Sequence, residues 1–167
     1  ADMNPPLAGT DYLWLSSRVD GTVMRLDPHT LETDSVTLEG VLQRPILTDN
    51  YVWVQSLQGS LYAIDRETVQ RAGEPQRIGL NSGTAFAAAD AIWYTDSRGE
   101  TLYRLDDPRN DAAVISLPDT VPQILPYGTD ETAVLFWLTD TQLYQYDIAT
   151  NSVTASTSLN TPLRSLL

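Results

Sequence analysis

The sequence predicts an all-β fold made of four repeated units, because three landmarks recur with one period of roughly forty residues. The four tryptophans are spaced by 39, 40 and 44 residues, and they are Trp14, Trp53, Trp93 and Trp137. One aspartate series follows the tryptophans, at Asp27, Asp65, Asp106 and Asp147. A second series precedes them, at Asp11, Asp49, Asp90 and Asp130. Three landmarks with a common period indicate a tandem repeat.

The second unit shows why each repeat is expected to contain four strands. Segment 44–49 is a short apolar strand, and 50–56 is aromatic and β-branched, as in a buried strand. Segment 57–60 contains Gly and predicts a hairpin turn before the alternating third strand at 61–65. The outer strand, within 70–80, is interrupted by Gly and Pro, as edge strands often are.

The other units follow the same scheme. The hairpin glycine recurs as Gly21, Gly59 and Gly99, and the fourth unit has Thr141 and Gln142 there instead. A third-strand tyrosine recurs as Tyr62, Tyr103 and Tyr144, with Met24 at that place in the first unit. The alanine-rich segment 84–91 is the best helix candidate, but its register makes it the inner strand of the third unit.

Four short antiparallel strands with one aromatic anchor per unit predict the blades of a β-propeller. A sandwich or an up-and-down barrel would give no reason for the repeated Trp and Asp. We expect one propeller domain or a partial propeller over 1–167, with blades at roughly 4–40, 41–80, 81–120 and 121–160. The last segment, 161–167, is expected to be an extra inner strand.

Four blades and an extra strand leave three ways to protect the open edges. In the first, the chain is a piece of a longer propeller. In the second, two copies complete one another. In the third, 161–167 replaces 4–9 in the first blade and closes a four-bladed ring. The first two accounts are favoured over the closed monomer. The remaining blades of a larger chain and a homodimer are therefore both expected partners.

The phrase GSLYAIDRET at 59–68 resembles the quinoprotein-type repeat, and also the YVTN and virginiamycin-B-lyase-like repeats. The resemblance extends from about residue 6 to 159 and implies propeller blades. It does not imply one function, because the members of these families include enzymes, assembly factors and surface scaffolds. Virginiamycin-B-lyase-like enzymes need a channel histidine, which no position supplies. The quinone-docking phrase G-K-x-x-W is replaced by VQRAGE at 69–74, so cofactor binding is not implied.

Composition excludes several classes of chemistry. The chain has no Cys and a single histidine, His29, which is expected in a surface turn, so no zinc set or catalytic triad can be assembled. No calcium-loop spacing occurs. The net charge of −12 argues against nucleic acid and anionic membranes as partners. The repeated aspartates are expected to cap turns, and the tryptophans to fill the core. We therefore expect no catalytic, metal or cofactor residues.

The remaining expectation is recognition at the hairpins between second and third strands. Arg18, Gln58 and Arg98 occupy equivalent hairpins in successive units, and Asp96 and Arg44 lie in the same loops or their neighbours. The sequence thus predicts a non-catalytic binding or scaffolding module for a protein or polar ligand, in an extracytoplasmic location. The rival hypothesis is a fragment of a larger quinoprotein- or lyase-like enzyme whose catalytic residues lie outside this chain.

Overall fold

The computed structural model describes residues 2–79, 85–117, 123–128 and 133–159. These residues form sixteen strands in four antiparallel four-stranded sheets, each built from consecutive strands, which confirms the all-β blade architecture. The extra strand expected at 161–167 lies outside the described residues. None of the described residues belongs to a helix that could cross a bilayer.

The first two blades correspond to the first two repeats. Blade 1 contains β1 (Leu7–Ala8), β2 (Leu13–Ser16), β3 (Thr22–Leu26) and β4 (Thr33–Thr37). Blade 2 contains β5 (Ile46–Leu47), β6 (Tyr51–Gln55), β7 (Ser60–Asp65) and β8 (Gln76–Arg77). The outer strand of blade 2 is the short one, since Gly and Pro interrupt the segment before it.

Blades 3 and 4 repeat the arrangement. Blade 3 contains β9 (Ala85–Ala88), β10 (Ala91–Thr95), β11 (Thr101–Leu105) and β12 (Ala113–Ser116). Blade 4 contains β13 (Gln123–Tyr127), β14 (Val134–Leu138), β15 (Gln142–Asp147) and β16 (Ser152–Ser158). Residues Ala85–Ala88 of the alanine-rich segment thus form the inner strand, and β9 lies beside β5 on one side and β13 on the other. These first strands form the inner layer of the arc.

Within the described residues, three hydrophobic cores hold the arc together, one between each pair of consecutive blades. The first interface packs Trp14 and Val23 of blade 1 against blade 2, at Val52, Val54, Tyr62 and Ile64. The second packs Trp53 and Leu61 of blade 2 against blade 3, at Ile92, Tyr94 and Leu105. The third packs Trp93 and Leu102 of blade 3 against blade 4, at Leu135, Trp137 and Tyr146. All four tryptophans are buried, as expected of core residues.

The fourth tryptophan faces the opposite way from the other three. In blades 1 to 3 the tryptophan lies opposite the residue after the repeated Met or Tyr, and the three pairs are Trp14–Arg25, Trp53–Ala63 and Trp93–Arg104. In blade 4, Trp137 lies opposite Tyr144 itself. Because side chains alternate along a strand, this shift of one residue turns Trp137 back towards blade 3.

The hairpin after the tryptophan explains the reversal. In blades 1 to 3, three residues follow the tryptophan before the loop begins, whereas in blade 4 only Leu138 and Thr139 do. The blade 4 loop is the two-residue turn Asp140–Thr141, closed by the bond from the Thr139 N–H to the Gln142 carbonyl at 2.9 Å. A two-residue loop gives a tight hairpin. Because side chains alternate between the two faces, a loop that starts one residue earlier puts the tryptophan on the other face of the sheet.

Three of the four repeated aspartates cap the turn after the third strand. Asp65 accepts bonds from the backbone N–H of Glu67 at 3.0 Å and of Thr68 at 2.8 Å, and the bond from Thr68 is the main cause of its lowered pKa. Asp27 and Asp147 accept equivalent backbone bonds. These contacts support the turn role expected of the series.

The expectation is wrong for Asp106. Its carboxylate accepts bonds from Arg104, and the turn is capped one residue later by Asp107, which accepts from the Arg109 N–H at 2.9 Å. The turn itself begins one residue later, since the Asn110 N–H bonds to the Asp107 carbonyl. Bonds from Arg109 lower the pKa of Asp107 to about 2.

In the earlier aspartate series, the Asp90 side chain bonds to a neighbouring blade. Asp90 accepts a bond at 2.5 Å from the backbone N–H of Asp49, which belongs to the preceding blade. This bond joins the two turns between first and second strands of blades 2 and 3. Asp130, in the same series, lies outside the described residues.

Candidate ligand-binding groove

The inner strands of blades 1 to 3 line an open cleft, here called the axial cleft, of about 840 Å³. Its wall is mainly apolar, because small and branched residues occupy the inner layer where the blades converge. The lining residues are Leu7, Ala8, Gln43, Arg44, Pro45, Ile46, Leu47, Gln55, Ala85, Phe86 and Ala87. A concave apolar surface with a few polar groups has the general character of a ligand site.

A second depression of about 400 Å³, here called the hairpin groove, lies between blades 1 and 2 at their hairpin end. It is lined by Asn4, Pro5, Arg18, Val41, Leu42, Gln43, Arg44 and Leu57. The groove brings the blade 1 hairpin, through Arg18, beside the blade 2 hairpin, through Leu57. It shares Gln43 and Arg44 with the axial cleft, so the two form one continuous surface.

Asn4 organises the hairpin groove from beneath. The residue is 4% exposed, and its amide nitrogen donates to the Ser16 hydroxyl at 2.8 Å and to the Leu42 carbonyl at 3.0 Å. Its oxygen accepts from Arg18 Nε at 2.9 Å. Ser16 in turn donates to the Gln43 carbonyl at 2.8 Å. A fully used buried amide rigidifies its surroundings, so this network positions both the Arg18 side chain and the connection that carries Arg44.

Arg44 stands where the groove meets the axial cleft, and its residue is exposed. Among the arginines of the described ranges, it is the one whose side chain makes neither a hydrogen bond nor an ion pair. An arginine supplies five N–H donors in a planar fork that matches a carboxylate or phosphate. The surface therefore offers an available cation beside an apolar wall.

The other residues of the predicted binding face have local roles. The Gln58 side-chain oxygen accepts from the Val41 N–H at 3.0 Å and so fixes the connection between blades 1 and 2. The Asp96 carboxylate accepts from the N–H groups of Glu100 and Thr101, which closes its own hairpin. Arg98 lies 3.9 Å from Glu100, and its side chain is 78% exposed. The structure thus brings Arg18 and Arg44 together in one groove, while Arg98 lines neither depression.

The sequence reasoning missed Asn4, which it placed in a first inner strand at 4–9. Strand β1 is shorter, at Leu7–Ala8, and Asn4 precedes it. The two prolines that follow Asn4 are the only local signal, because they keep the segment extended without strand pairing. Its three partners come from distant parts of the chain, and no local pattern announces them.

One carboxylate in the blade 1 hairpin has an environment that favours its ionised form. Asp20, in the same hairpin as Arg18, has a lowered pKa, chiefly because of a hydrogen bond with the Ser17 side chain and then one from the Thr22 backbone.

Across the described ranges, no group of three or more His, Cys, Asp or Glu side chains is arranged to hold a metal ion.

No protein-family model matches the chain, and no curated protein matches its sequence. Solved β-propellers match its structure. Kluyveromyces lactis Hsv2 has a TM-score of 0.74 at 10% identity, with 94% of this chain and 52% of that chain covered. Kuenenia stuttgartiensis hydrazine synthase gives 0.64 at 15% identity, with 89% and 46% covered. BBS1N in complex with ARL6DN gives 0.69 at 11% identity, with 96% and 54% covered.

These likenesses concern the fold, since the identities are low. The chain spans about half the length of the propellers that it matches. The matched proteins include an enzyme, hydrazine synthase, and a protein seen in complex with another protein, BBS1N. The chain therefore has the fold of consecutive β-propeller blades.

Proposed function

We propose that this chain is a non-catalytic recognition module, which binds a partner protein through a carboxylate placed at Arg44. The observation that carries the proposal is the location of Arg44, whose side chain has no hydrogen-bond or ion-pair partner among the described residues, at the junction of an apolar cleft and a groove. A fork of N–H donors beside apolar walls fits an acidic side chain flanked by apolar residues.

Arg18 serves as the second anchor. Its Nε is occupied by Asn4, which holds the guanidinium in place and leaves its terminal nitrogens for a ligand. A cation that is fixed in advance loses less conformational freedom on binding than a mobile one. Together, Arg18 and Arg44 form a local positive site on a chain of net charge −12. Acidic partners are repelled elsewhere on the surface, so the charge pattern favours one docking position.

The repeat phrase supports a finer proposal about ancestry. The residues that resemble the quinoprotein-like and YVTN repeats occupy one structural unit, from the hairpin at Gly59 through β7 to the cap at Asp65. We place the chain in that broad group as a binding member in an extracytoplasmic setting, as one propeller domain or part of a larger propeller.

A matched peptide pair tests the binding site. The probe is a short peptide with one Glu between leucines, and the control peptide has Gln in its place. We expect the Glu peptide to shift the backbone NMR signals of Gln43 and Arg44, and the Gln peptide to bind at least tenfold more weakly, which corresponds to about 1.4 kcal/mol.

The matched protein variants are Arg44→Gln and Arg98→Gln, which remove one exposed arginine each. We expect Arg44→Gln to lose the preference for the Glu peptide and Arg98→Gln to keep it, with unchanged thermal unfolding in both. If the Glu and Gln peptides bound equally, or Arg44→Gln bound as the wild type does, recognition would not involve this site.

A further inference from the structure

Two sheet faces have no blade against them among the described residues, one at each end of the arc. The leading face is the side of blade 1 turned away from blade 2, with Leu13 opposite Leu26 and Leu15 opposite Met24. The trailing face is the side of blade 4 turned away from blade 3, formed by Leu125, Tyr127, Val134, Phe136, Leu138 and Leu143. Neither set belongs to one of the three interfaces.

The leading face corresponds to surfaces that are buried in the later blades. Leu13 and Leu15 flank Trp14, as Val52 and Val54 flank Trp53 in blade 2. Met24 occupies the place of Tyr62 on the third strand. In blade 2 these positions pack against the preceding blade, and their residues are at most 4% exposed. The leading face therefore has the composition and position of a surface that receives a preceding blade.

The trailing face is on the opposite side of its blade and faces where a following blade would lie. It is mainly apolar, although Gln145 lies opposite Phe136 and Asp147 opposite Val134. Leu125 is 47% and Tyr127 71% exposed, and the rings of Tyr127 and Phe136 are 6.1 Å apart. These residues form one contiguous patch, in contrast to singly exposed apolar residues, which are common. Because Trp137 points back, the side that normally presents a tryptophan presents Phe136 and Leu138 instead.

We propose that the leading face of one chain packs on the trailing face of a second copy, and that two chains close a single ring. The two faces differ, so each chain contributes one of each and both junctions are the same. Such a head-to-tail interface closes when the rotation of two chains completes a turn. The structural relatives support this count, since four blades cover about half of each matched propeller. The second copy would thus form the same blade-to-blade interface that joins the four blades within each chain.

Sedimentation velocity over a wide concentration range tests the proposal on the 167-residue chain. We expect twice the chain mass of 18.5 kDa for the wild type. Met24→Asp on the leading face and Leu138→Asp on the trailing face should each give monomers, because each variant spoils both junctions of a homodimer. The matched control is Val114→Asp on the outer strand β12, which is 65% exposed and should remain dimeric.

Mixing the two variants distinguishes the head-to-tail arrangement from a face-to-face one. The Met24→Asp chain keeps its trailing face and the Leu138→Asp chain keeps its leading face, so the mixture should form a heterodimer through one intact junction. If Leu138→Asp fails to fold, Tyr127→Asp replaces it, since that side chain is largely exposed. A monomeric wild type at all concentrations, a dimeric single variant or a mixture without heterodimer would each overturn the proposal.

Discussion

Blades 1 to 3 and blade 4 solve the same packing problem in different ways. Each of the first three directs its tryptophan at the following blade, and its hairpin glycine has a positive φ, 70° at Gly21, 83° at Gly59 and 69° at Gly99. Blade 4 has a two-residue hairpin and directs Trp137 at the preceding blade. The comparison teaches that repeat spacing sets which residues are buried, whereas hairpin position sets which interface buries them.

The consequence is an uneven distribution of aromatic residues. The third interface contains two tryptophans and Tyr146, whose ring centroid is 4.8 Å from that of Trp137 and 6.4 Å from that of Trp93. The first and second interfaces contain one tryptophan each. Aromatic pairs add stabilisation beyond the burial of area. The third interface is therefore expected to be the best-packed junction of the arc.

The largest expected effect is the truncation of a core tryptophan. Trp53→Ala and Trp137→Ala should each lower the free energy of unfolding by about 3–5 kcal/mol, because each removes a fully buried indole and leaves a cavity. Urea unfolding monitored by circular dichroism measures the loss. Val19→Ala, at a residue that is 74% exposed, is the control and should change stability by no more than about 0.5 kcal/mol.

The hairpin glycines give the next effect. A Cβ at Gly21 would lie 2.2 Å from the Leu38 carbonyl oxygen, whereas one at Gly79, which also has a positive φ of 87°, would meet no described residue within 4 Å. Both Ala variants carry the strain of a left-handed residue, about 1–2 kcal/mol. Gly21→Ala should therefore cost more than Gly79→Ala, by about 1–3 kcal/mol for the displaced backbone. Equal melting temperatures of the two variants would show that Gly21 does not closely approach the backbone of Leu38.

Arg25, opposite Trp14, is expected to stabilise the first interface through hydrogen bonds across the blades. Its guanidinium donates to the carbonyls of Arg66 and Glu67 of blade 2 and pairs with Asp34 at 2.6 Å. Arg25→Ala should cost about 2 kcal/mol, since bonds to a charged donor are worth about 1.5–3 kcal/mol. The control is Arg71→Ala, where the exposed pair with Glu74 is worth about 0–1 kcal/mol. Similar losses in urea unfolding would contradict this ranking.

Tryptophan-to-phenylalanine replacements give the smallest effect and separate a hydrogen-bonded indole from an unbonded one. Trp53 Nε1 donates to the Thr48 hydroxyl at 3.1 Å, whereas Trp137 Nε1 has no acceptor among the described residues. The loss of a satisfied bond makes Trp53→Phe the costlier change, by about 1 kcal/mol. Thermal unfolding of the two variants measures the difference, and a costlier Trp137→Phe would mean that its indole N–H is satisfied in solution.

The sequence predicted the blades, the buried tryptophans and the caps at Asp27, Asp65 and Asp147, because these depend on local patterns of period two and on short turns. It did not predict the reversal of Trp137, although the signal was present. The distance from tryptophan to the third-strand tyrosine is nine residues in blade 2, ten in blade 3 and seven in blade 4. The shorter distance turns the tryptophan to the other face of the sheet only if the hairpin loop begins one residue earlier after the tryptophan. Where the loop begins depends on how the two strands pair, which the spacing alone does not give.

The candidate site was less predictable than the fold. Shared hairpin position predicts that equivalent loops meet at one end, and this stays a prediction: Arg18 and Arg44 line one groove, whereas Arg98 lines neither depression. Gln58 and Asp96 bond to the backbone of their own region, and Arg44 became prominent only because two concave surfaces meet there. The position of a ligand groove depends on how blades pack, and that information is not local.

The most direct test of the reversed fourth blade is a double-mutant cycle between Trp93 and Trp137. Both lie in the third interface, so Trp93→Phe and Trp137→Phe should be coupled by about 0.5–3 kcal/mol in urea unfolding. Trp14 and Trp53 lie in different interfaces, and their Phe variants should add within about 0.3–0.5 kcal/mol. Additive losses of unfolding free energy for Trp93 and Trp137 would contradict the reversed orientation of Trp137, because they would place the two side chains in separate cores.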